Sequence, residues 1–210
     1  MLTRYHEAIT RQALSGYFSA PALQDVVHAN LRQDELRGQF GHDEYHFDNN
    51  AFERSYAYLE EQRGLVRSAL SAKRVFPARE AFGRLTHTAQ DFYAHSNYVD
   101  LWLTRSGAEA RPSTSEIEPL VEGLLSSPEL RSGKLYYPLE LLSFVPFLKP
   151  YVLPLLPRDS HAWMNLDAPE RGYRFSYAFE AARKRTQYEY DRTVAGLSKA
   201  QVGIFSDLNG

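Results

Sequence analysis

The sequence predicts an all-α fold, a single helical bundle with long loops that spans residues 1–210. Apolar residues recur at helical spacing in several stretches, and no segment shows convincing strand alternation. The hydrophobic fraction of 43% and the charged fraction of 24% are an ordinary globular balance, and the length suits one sizeable domain. The net charge of −2 offers no basic surplus for neutralising phosphates, so we expect no nucleic-acid partner.

The first two helices lie before a polar loop. Thr3 is a plausible N-cap of the first, and Tyr5 and Ile9 begin its apolar face. Pro21 opens the second, which we expect over residues 22–37 because Gly38 weakens the helix there. Residues 39–50 are polar and rich in turn formers, which predicts a loop.

Three longer helices complete the predicted bundle. Asn49 or Asn50 can cap a helix that ends near Lys73 and buries a face marked by Leu59, Val66 and Leu70. The next two helices are predicted over residues 78–95 and 173–197, and a loop over residues 104–114.

Residues 135–157 are apolar but interrupted by five prolines, so a continuous helix is excluded there. One interpretation is an irregular lid packed on the core. The other is an exposed apolar hairpin that contacts lipid or another subunit, since its tyrosines and phenylalanines suit a membrane interface. On the second interpretation, a phospholipid or membrane surface is the expected partner of this segment.

The sequence contains neither a recognisable secretion signal nor a transmembrane segment. Its first ten residues, MLTRYHEAIT, lack the apolar core of a signal peptide, and no run of 18 apolar residues occurs. We therefore expect a protein that stays where it is made, is exported without a cleaved signal, or has a leader that precedes this sequence.

Histidine and aspartate are concentrated in a way that predicts a metal site. Six of the seven histidines lie in four short polar clusters, around His6, residues 42–48, residues 87–95 and His161. Because the chain has no cysteine, any metal must be held by imidazole, carboxylate or backbone oxygen. The alternative is a set of buried hydrogen-bond networks in which the histidines are paired with charges.

His87, Asp91 and His95 are the most specific of these residues. Their spacing of four places all three on one helix face, with the two histidines roughly 12 Å apart along the axis. One ion with bonds near 2 Å cannot reach both histidines. Two adjacent ions with Asp91 between them would satisfy this spacing, and so would a helix that ends before His95.

The string GRLTHTAQDFYAHSNYVDLW, residues 83–102, resembles the Het-C family, whose fungal members act in heterokaryon incompatibility. Shorter matches are YHEAIT, HFDNNAF and SHAWMNLDAP. The H-x-x-x-D step is also similar to the helical zinc-dependent phospholipase C and single-strand nuclease fold, which implies one to three zinc ions. By position, the resemblance implies these metal ligands: His6, His46, Asp48, His87, Asp91, His95, His161 and Asp167.

Two positions depart from that pattern. The zinc phospholipases and nucleases begin with a tryptophan whose amine and carbonyl bind zinc, whereas this sequence begins Met-Leu-Thr. Het-C relatives often carry a histidine before a threonine on the last long helix, where this chain has Arg185 and Thr186.

The leading hypothesis is a zinc-dependent phosphodiester hydrolase acting on phospholipid, with Asp48 as the catalytic base. The alternative is a Het-C-like effector or toxin that acts on a membrane or binds a protein, in which the metal is structural and nothing is hydrolysed. An open coordination position would distinguish the two, because structural zinc sites are closed.

Overall fold

A computed structural model describes residues 1–35, 41–107, 111–143, 145 and 147–208, and the described chain folds as α-helices joined by turns and short 3-10 segments. The predicted all-α class is confirmed. The described residues contain two isolated bridges, Ser96 with Ser132 and Lys134 with Ser160, and no strand. The helices are α1 Thr3–Leu14, α2 Ala20–Leu31, α3 Asp43–His46, α4 Phe52–Ser71, α5 Val75–His95, α6 Tyr98–Arg105, α7 Glu122–Leu125, α8 Leu139–Ser143, α9 Lys149–Val152, α10 His161–Met164, α11 Arg174–Val194 and α12 Lys199–Ser206.

Helix α5 lies at the centre of the bundle and packs against α2, α4 and α11, while α1 packs against α2 and α11. Every residue from 85 to 95 is buried, so this stretch of α5 is surrounded on all sides. A helix surrounded in this way buries its polar residues together with its apolar ones. The polar residues of α5 must therefore find partners inside the protein, and these residues with their partners form the candidate site.

Several predicted helix starts differ from the structure. Helix α2 begins at Ala20 rather than at residue 22, and α5 begins at Val75 rather than at residue 78. Helix α1 is preceded by Leu2 rather than capped by Thr3, and α4 is preceded by Ala51 with no side-chain cap. Asn49 and Asn50 adopt left-handed backbone conformations, and their side chains bind more distant parts of the chain. These longer-range bonds replace the local cap that the sequence suggested.

Several predicted ends also shift. Helix α2 ends at Leu31 and is followed by a 3-10 turn, Arg32–Asp34. The predicted end of this helix at residue 37 lies outside the described residues, as do Gly38 and the start of the predicted 39–50 loop. Helix α6 extends to Arg105, into the predicted 104–114 loop, of which residues 108–110 also lie outside. Helix α11 ends at Val194.

Helix α12 was not predicted. It follows a turn and begins with a capping box, in which the Ser198 hydroxyl accepts from the Gln201 backbone while the Gln201 side chain accepts from the Ser198 backbone. Among its residues, Phe205 reaches the main core and the rest lie mostly outside it.

The proline-rich segment 135–157, which we call the apolar flap, forms α8, α9 and the 3-10 turn Leu153–Leu155. As expected, the described residues of the flap form no long helix. The flap has a small core of its own, separate from the main one: Val152, Leu156 and Ala162, with Tyr136, Leu148, Leu153 and Trp163 packed against them. Phe144 and Pro146, which belong to this segment, lie outside the described residues.

None of the helices in the described ranges combines the length and the apolar character needed to span a bilayer.

Candidate functional site

The structure brings all eight predicted site residues to one end of the bundle. His6 comes from α1, His46 from α3, the three residues at 87, 91 and 95 from α5, and His161 from α10. Asp48 and Asp167 lie in the turns that follow α3 and α10. A cavity of about 260 Å³ opens there, and its lining includes His46, Asp48, His95, His161 and Asp167.

Two groups of side chains place their nitrogen and oxygen atoms within 4.8 Å of one another. The Asp91 cluster consists of His6, Asp34, His87 and Asp91, and the His95 cluster consists of Asp48, His95 and His161. Helix α5 continues to His95, so a helix ending earlier is ruled out as the way to bring His87 and His95 together. The two histidines belong to different clusters.

The Asp91 carboxylate receives contacts on both oxygens. Its Oδ1 lies 3.1 Å from His6 Nε2, and its Oδ2 lies 2.8 Å from His46 Nδ1 and 3.0 Å from His87 Nε2. His87 Nε2 lies 3.6 Å from Asp34 Oδ1. Atoms bound tetrahedrally at about 2.0–2.1 Å are about 3.3 Å apart, so these separations suit one small ion.

Gln90, beside Asp91 on α5, fixes the orientation of the His6 ring. Its side-chain oxygen lies 2.6 Å from His6 Nδ1, and its nitrogen donates to the hydroxyl oxygens of Thr10 and Thr186. The Thr186 hydroxyl donates its own hydrogen to the carbonyl of Ala182, so it can only accept from Gln90. The Gln90 oxygen must therefore face His6.

Since that oxygen can only accept, His6 Nδ1 carries a hydrogen and donates it. In the neutral ring His6 Nε2 then presents a lone pair to the Asp91 carboxylate. This buried Nε2 makes no hydrogen bond to any described residue. Two acceptor atoms at 3.1 Å need either a proton or a cation between them, and a divalent ion would satisfy both.

His95 is oriented by the backbone of His46 and by the side chain of Asp48, whose Oδ1 lies 3.3 Å from His95 Nδ1. This Nδ1 lies 2.9 Å from the carbonyl oxygen of His46, so Nδ1 donates there and Nε2 faces Asp167 at 3.3 Å. The buried ammonium of Met1 lies 2.6 Å from Asp91 Oδ1 and 3.2 Å from both Asp167 and His95 Nε2. Asp91, Asp167 and His95 therefore surround the positive charge of the Met1 ammonium.

Gly133 draws together three segments that carry site residues. Its N–H donates to the carbonyl of His95, and its carbonyl accepts from the backbone of Asn49. A side-chain carbon added to Gly133 would lie only 2.6 Å from the Cα of His161. The absence of a side chain at Gly133 therefore allows α10 to place His161 against His95.

The protonation states differ among the site residues. Burial lowers the pKa of His46 and of His95, but Asp91 outweighs it and raises both. Burial, the largest cause, lowers the pKa of His87 to about 4, so this imidazole is neutral at pH 7. Burial raises the pKa of Asp91, but Met1, His95 and the other histidines outweigh it and hold the pKa well below its usual range. Burial also opposes ionisation of Asp48, yet His161 and His95 lower its pKa. Neutral imidazoles and ionised carboxylates are the metal-binding forms, so Asp91, Asp48 and His87 are ready to bind an ion, whereas His46 and His95 would have to release a proton first.

The donor set therefore fits divalent cations. Nitrogen and oxygen donors without sulfur suit zinc and related ions. Besides His6 Nε2, Asp48 Oδ1 is also buried without a hydrogen bond to any described residue. Asp91 Oδ1 also lies 3.8 Å from His95 Nε2, so the two clusters adjoin each other.

Arg185, at the position where Het-C relatives often have histidine, belongs to neither cluster. It is buried, and its Nε donates to Glu189 at 2.6 Å. Glu189 also accepts from the buried Arg63 of α4. These charges form a structural network between α4 and α11.

Sequence reasoning missed two residues of the site. Asp34 stands alone after an apolar helix, and no pattern distinguishes it from a surface acid. Gln90 lies inside the HTAQDFYAH string, where its position next to Asp91 was the available signal.

Comparisons with known proteins correct the resemblance to Het-C. The family that matches, over residues 3–122, is described as the VWA7 N-terminal domain, so the Het-C assignment and the role in heterokaryon incompatibility are wrong. The matched range contains the whole Asp91 cluster. It leaves out the apolar flap, His161 and Asp167. These comparisons bear on neither zinc nor hydrolysis.

Relatives at the sequence level are the von Willebrand factor A domain-containing protein 7 of Rattus norvegicus, 37% identical over 83 residues, and that of Homo sapiens, 36% identical over the same length. The match covers 38% of this chain and 9% of each relative, so the chain corresponds to a small part of those proteins. No solved structure matches. Because the family match extends over more than half of its residues, the chain belongs to the VWA7 N-terminal domain family.

Proposed function

We propose that this domain binds one to three divalent ions, with zinc as the preferred metal, and uses them to hydrolyse phosphodiesters. The observation that carries the proposal is the pair of neighbouring groups of histidines and aspartates, of which the His95 cluster lines an open cavity. His6, Asp34, His87 and Asp91 would hold one ion, with His46 in reach. Asp48, His95 and His161 would hold another, with Asp167 in reach.

Bound ions of this kind supply positive charge to phosphoryl oxygens and lower the pKa of water. The protein supplies orientation and a proton acceptor. Gln90 and the His46 carbonyl hold His6 and His95 with their Nε2 atoms toward the centre. Asp48, ionised and lining the cavity, could hold an ion through one carboxylate oxygen and accept a proton on the other.

A purely structural role for the ions is less consistent with the surroundings. Structural zinc sites are closed by protein ligands. Here the His95 cluster opens onto the cavity, whose volume of about 260 Å³ can accommodate a phosphoryl group with its neighbouring atoms. The apolar residues Leu135 and Tyr137 line the same cavity, which favours a lipid diester over a nucleic acid.

Zinc-dependent cleavage of a soluble model diester, bis(p-nitrophenyl) phosphate, tests the proposal. Asp48→Asn keeps size and shape but removes the proton acceptor, and His87→Ala removes a ligand, so we expect each to lower the rate about 100-fold or more. His42→Ala is the matched control, because His42 lies outside both clusters and contacts Glu44 near the surface. Background activity in the zinc-loaded parent protein across phospholipids and soluble diesters would reject hydrolysis.

We expect Gln90 to affect zinc affinity through the orientation of His6, although Gln90 is not itself a metal ligand. Gln90→Met preserves size but leaves His6 Nδ1 without its acceptor, and we expect zinc affinity to fall about 10- to 100-fold in competition titrations. Gln62→Met on α4 is the control, since Gln62 is also buried but accepts from Arg84, away from the clusters. Unchanged affinity in Gln90→Met would show that it does not orient a metal ligand.

A further inference from the structure

The apolar flap presents large side chains to solvent although it is folded. Phe147 is 74% exposed, Tyr151 76% and Leu155 69%, and Tyr137, Leu139 and Leu142 are exposed as well. The flap's small core of Val152 and Leu156 is already satisfied beneath them. The exposed residues are therefore additional to that core, and a concentration of large exposed apolar side chains in one short segment marks an interaction site.

The charges of the flap favour an anionic surface. Within the flap the only acidic residue is Glu140, which is buried and accepts from the backbone of Ala162. Lys149 is exposed in the flap. Arg158, which directly follows the flap, is exposed as well, and the next residue, Asp159, pairs with Lys134. The flap thus combines aromatic and leucine side chains with accessible positive charge and no accessible carboxylate.

The flap is also attached to the candidate site. The Leu135 N–H donates to Asn49, which follows the ligand-bearing turn, and the His161 N–H donates to the carbonyl of Lys134. Tyr137 lines the cavity itself. A surface that seats on the flap would therefore lie beside the opening of the cavity.

We propose that the apolar flap docks this domain on an anionic phospholipid membrane surface, with Phe147, Tyr151 and Leu155 inserted at the interface and Lys149 beside the headgroups. Aromatic and leucine side chains partition into this region, and lysines near it are attracted by anionic lipid. The proline-interrupted flap lies on the membrane and does not span it. Presentation of a lipid diester to the cavity rests on the proposed function, whereas docking does not.

Co-sedimentation of the full chain with vesicles tests docking. The vesicles are phosphatidylcholine with or without phosphatidylserine, and the buffer contains a chelator so that metal plays no part. We expect binding that is stronger with phosphatidylserine. The triple variant Phe147→Ser, Tyr151→Ser and Leu155→Ser should lose about 100-fold in partitioning, because each side chain contributes apolar burial.

A residue-for-residue control is available elsewhere on the surface. Phe76→Ser, Tyr188→Ser and Leu208→Ser change the same three residue types at exposed positions outside the flap, and this variant should bind as the parent does. Lys149→Glu should weaken binding about fivefold or more with phosphatidylserine and little without it.

Three results would overturn docking. They are no vesicle binding by the parent protein, an equal loss in both triple variants, and a concentration-dependent dimer in sedimentation velocity that only the flap variant disperses. The last would assign the flap to a second copy of the chain. Zinc-dependent cleavage of the soluble diester, measured on the same flap variant, should stay at the parent rate. It therefore reports on the proposed function separately.

Discussion

Zinc should raise the melting temperature of this protein, and Asp91→Asn should abolish the part of that rise that comes from the Asp91 cluster. A ligand at 100 times its Kd stabilises the native state by about 2.7 kcal/mol per site, which for a chain of this size is about 5–10 °C. Asp91 contacts His6, His46 and His87, so its charge is central to that site.

The comparison must be made within each variant, with zinc and then with chelator. Asp91→Asn also removes a buried negative charge from beside the Met1 ammonium, which by itself is expected to cost about 3–5 kcal/mol. The difference between zinc and chelator cancels this baseline. Asp100→Asn, which affects an exposed pair with Arg174, should keep the full zinc effect. Equal melting temperatures with zinc and chelator in the parent protein would contradict metal binding.

The fold was largely accessible from the sequence because most long helices of this bundle have one face toward the core. Leu59, Val66 and Leu70 mark that face on α4, and all three are buried. The starts of the helices were less accessible. Asn49 and Asn50 look like caps, but their side chains accept from Leu135 and Ser132, more than 80 residues away. A capping rule that considers only neighbouring residues in the sequence cannot detect hydrogen-bond partners that lie so far along the chain.

The sequence predicted those residues of the candidate site that lie close together in the chain. His87 and Asp91 are four residues apart, and helical geometry alone places them together. Asp34 contacts His87 from the 3-10 turn that follows α2, and the residues next to Asp34 in the sequence do not predict that contact. Gln90 was missed for a different reason. A neutral amide is neither a ligand nor a base, and its role depends on Thr10 and Thr186, which the fold alone brings to it.

Gly83 sets the distance between α2 and α5, and the site depends on that distance. A side-chain carbon added there would lie 2.4 Å from the carbonyl oxygen of Val26 and 2.9 Å from the backbone nitrogen of Asn30. Neither atom can move without the helix, so α2 and α5 must separate. Asn30 donates to Thr86 and to Gln90 across this contact, which links the helix crossing to the residue that orients His6.

Gly83→Ala is therefore expected to lower the free energy of unfolding by about 1–3 kcal/mol, the usual cost of overpacking, although alanine favours a helix. Gly64→Ala in α4 is the matched control, because an added carbon there meets nothing within 4 Å. That variant should gain about 0.5–1 kcal/mol from helix propensity. Denaturant unfolding of both variants measures the two effects. If Gly83→Ala were as stable as Gly64→Ala, the close approach of α2 and α5 would not be a constraint on the fold. If Gly83→Ala lost stability while zinc affinity stayed at the parent value, the helix crossing would support the bundle without setting the orientation of His6 through Gln90.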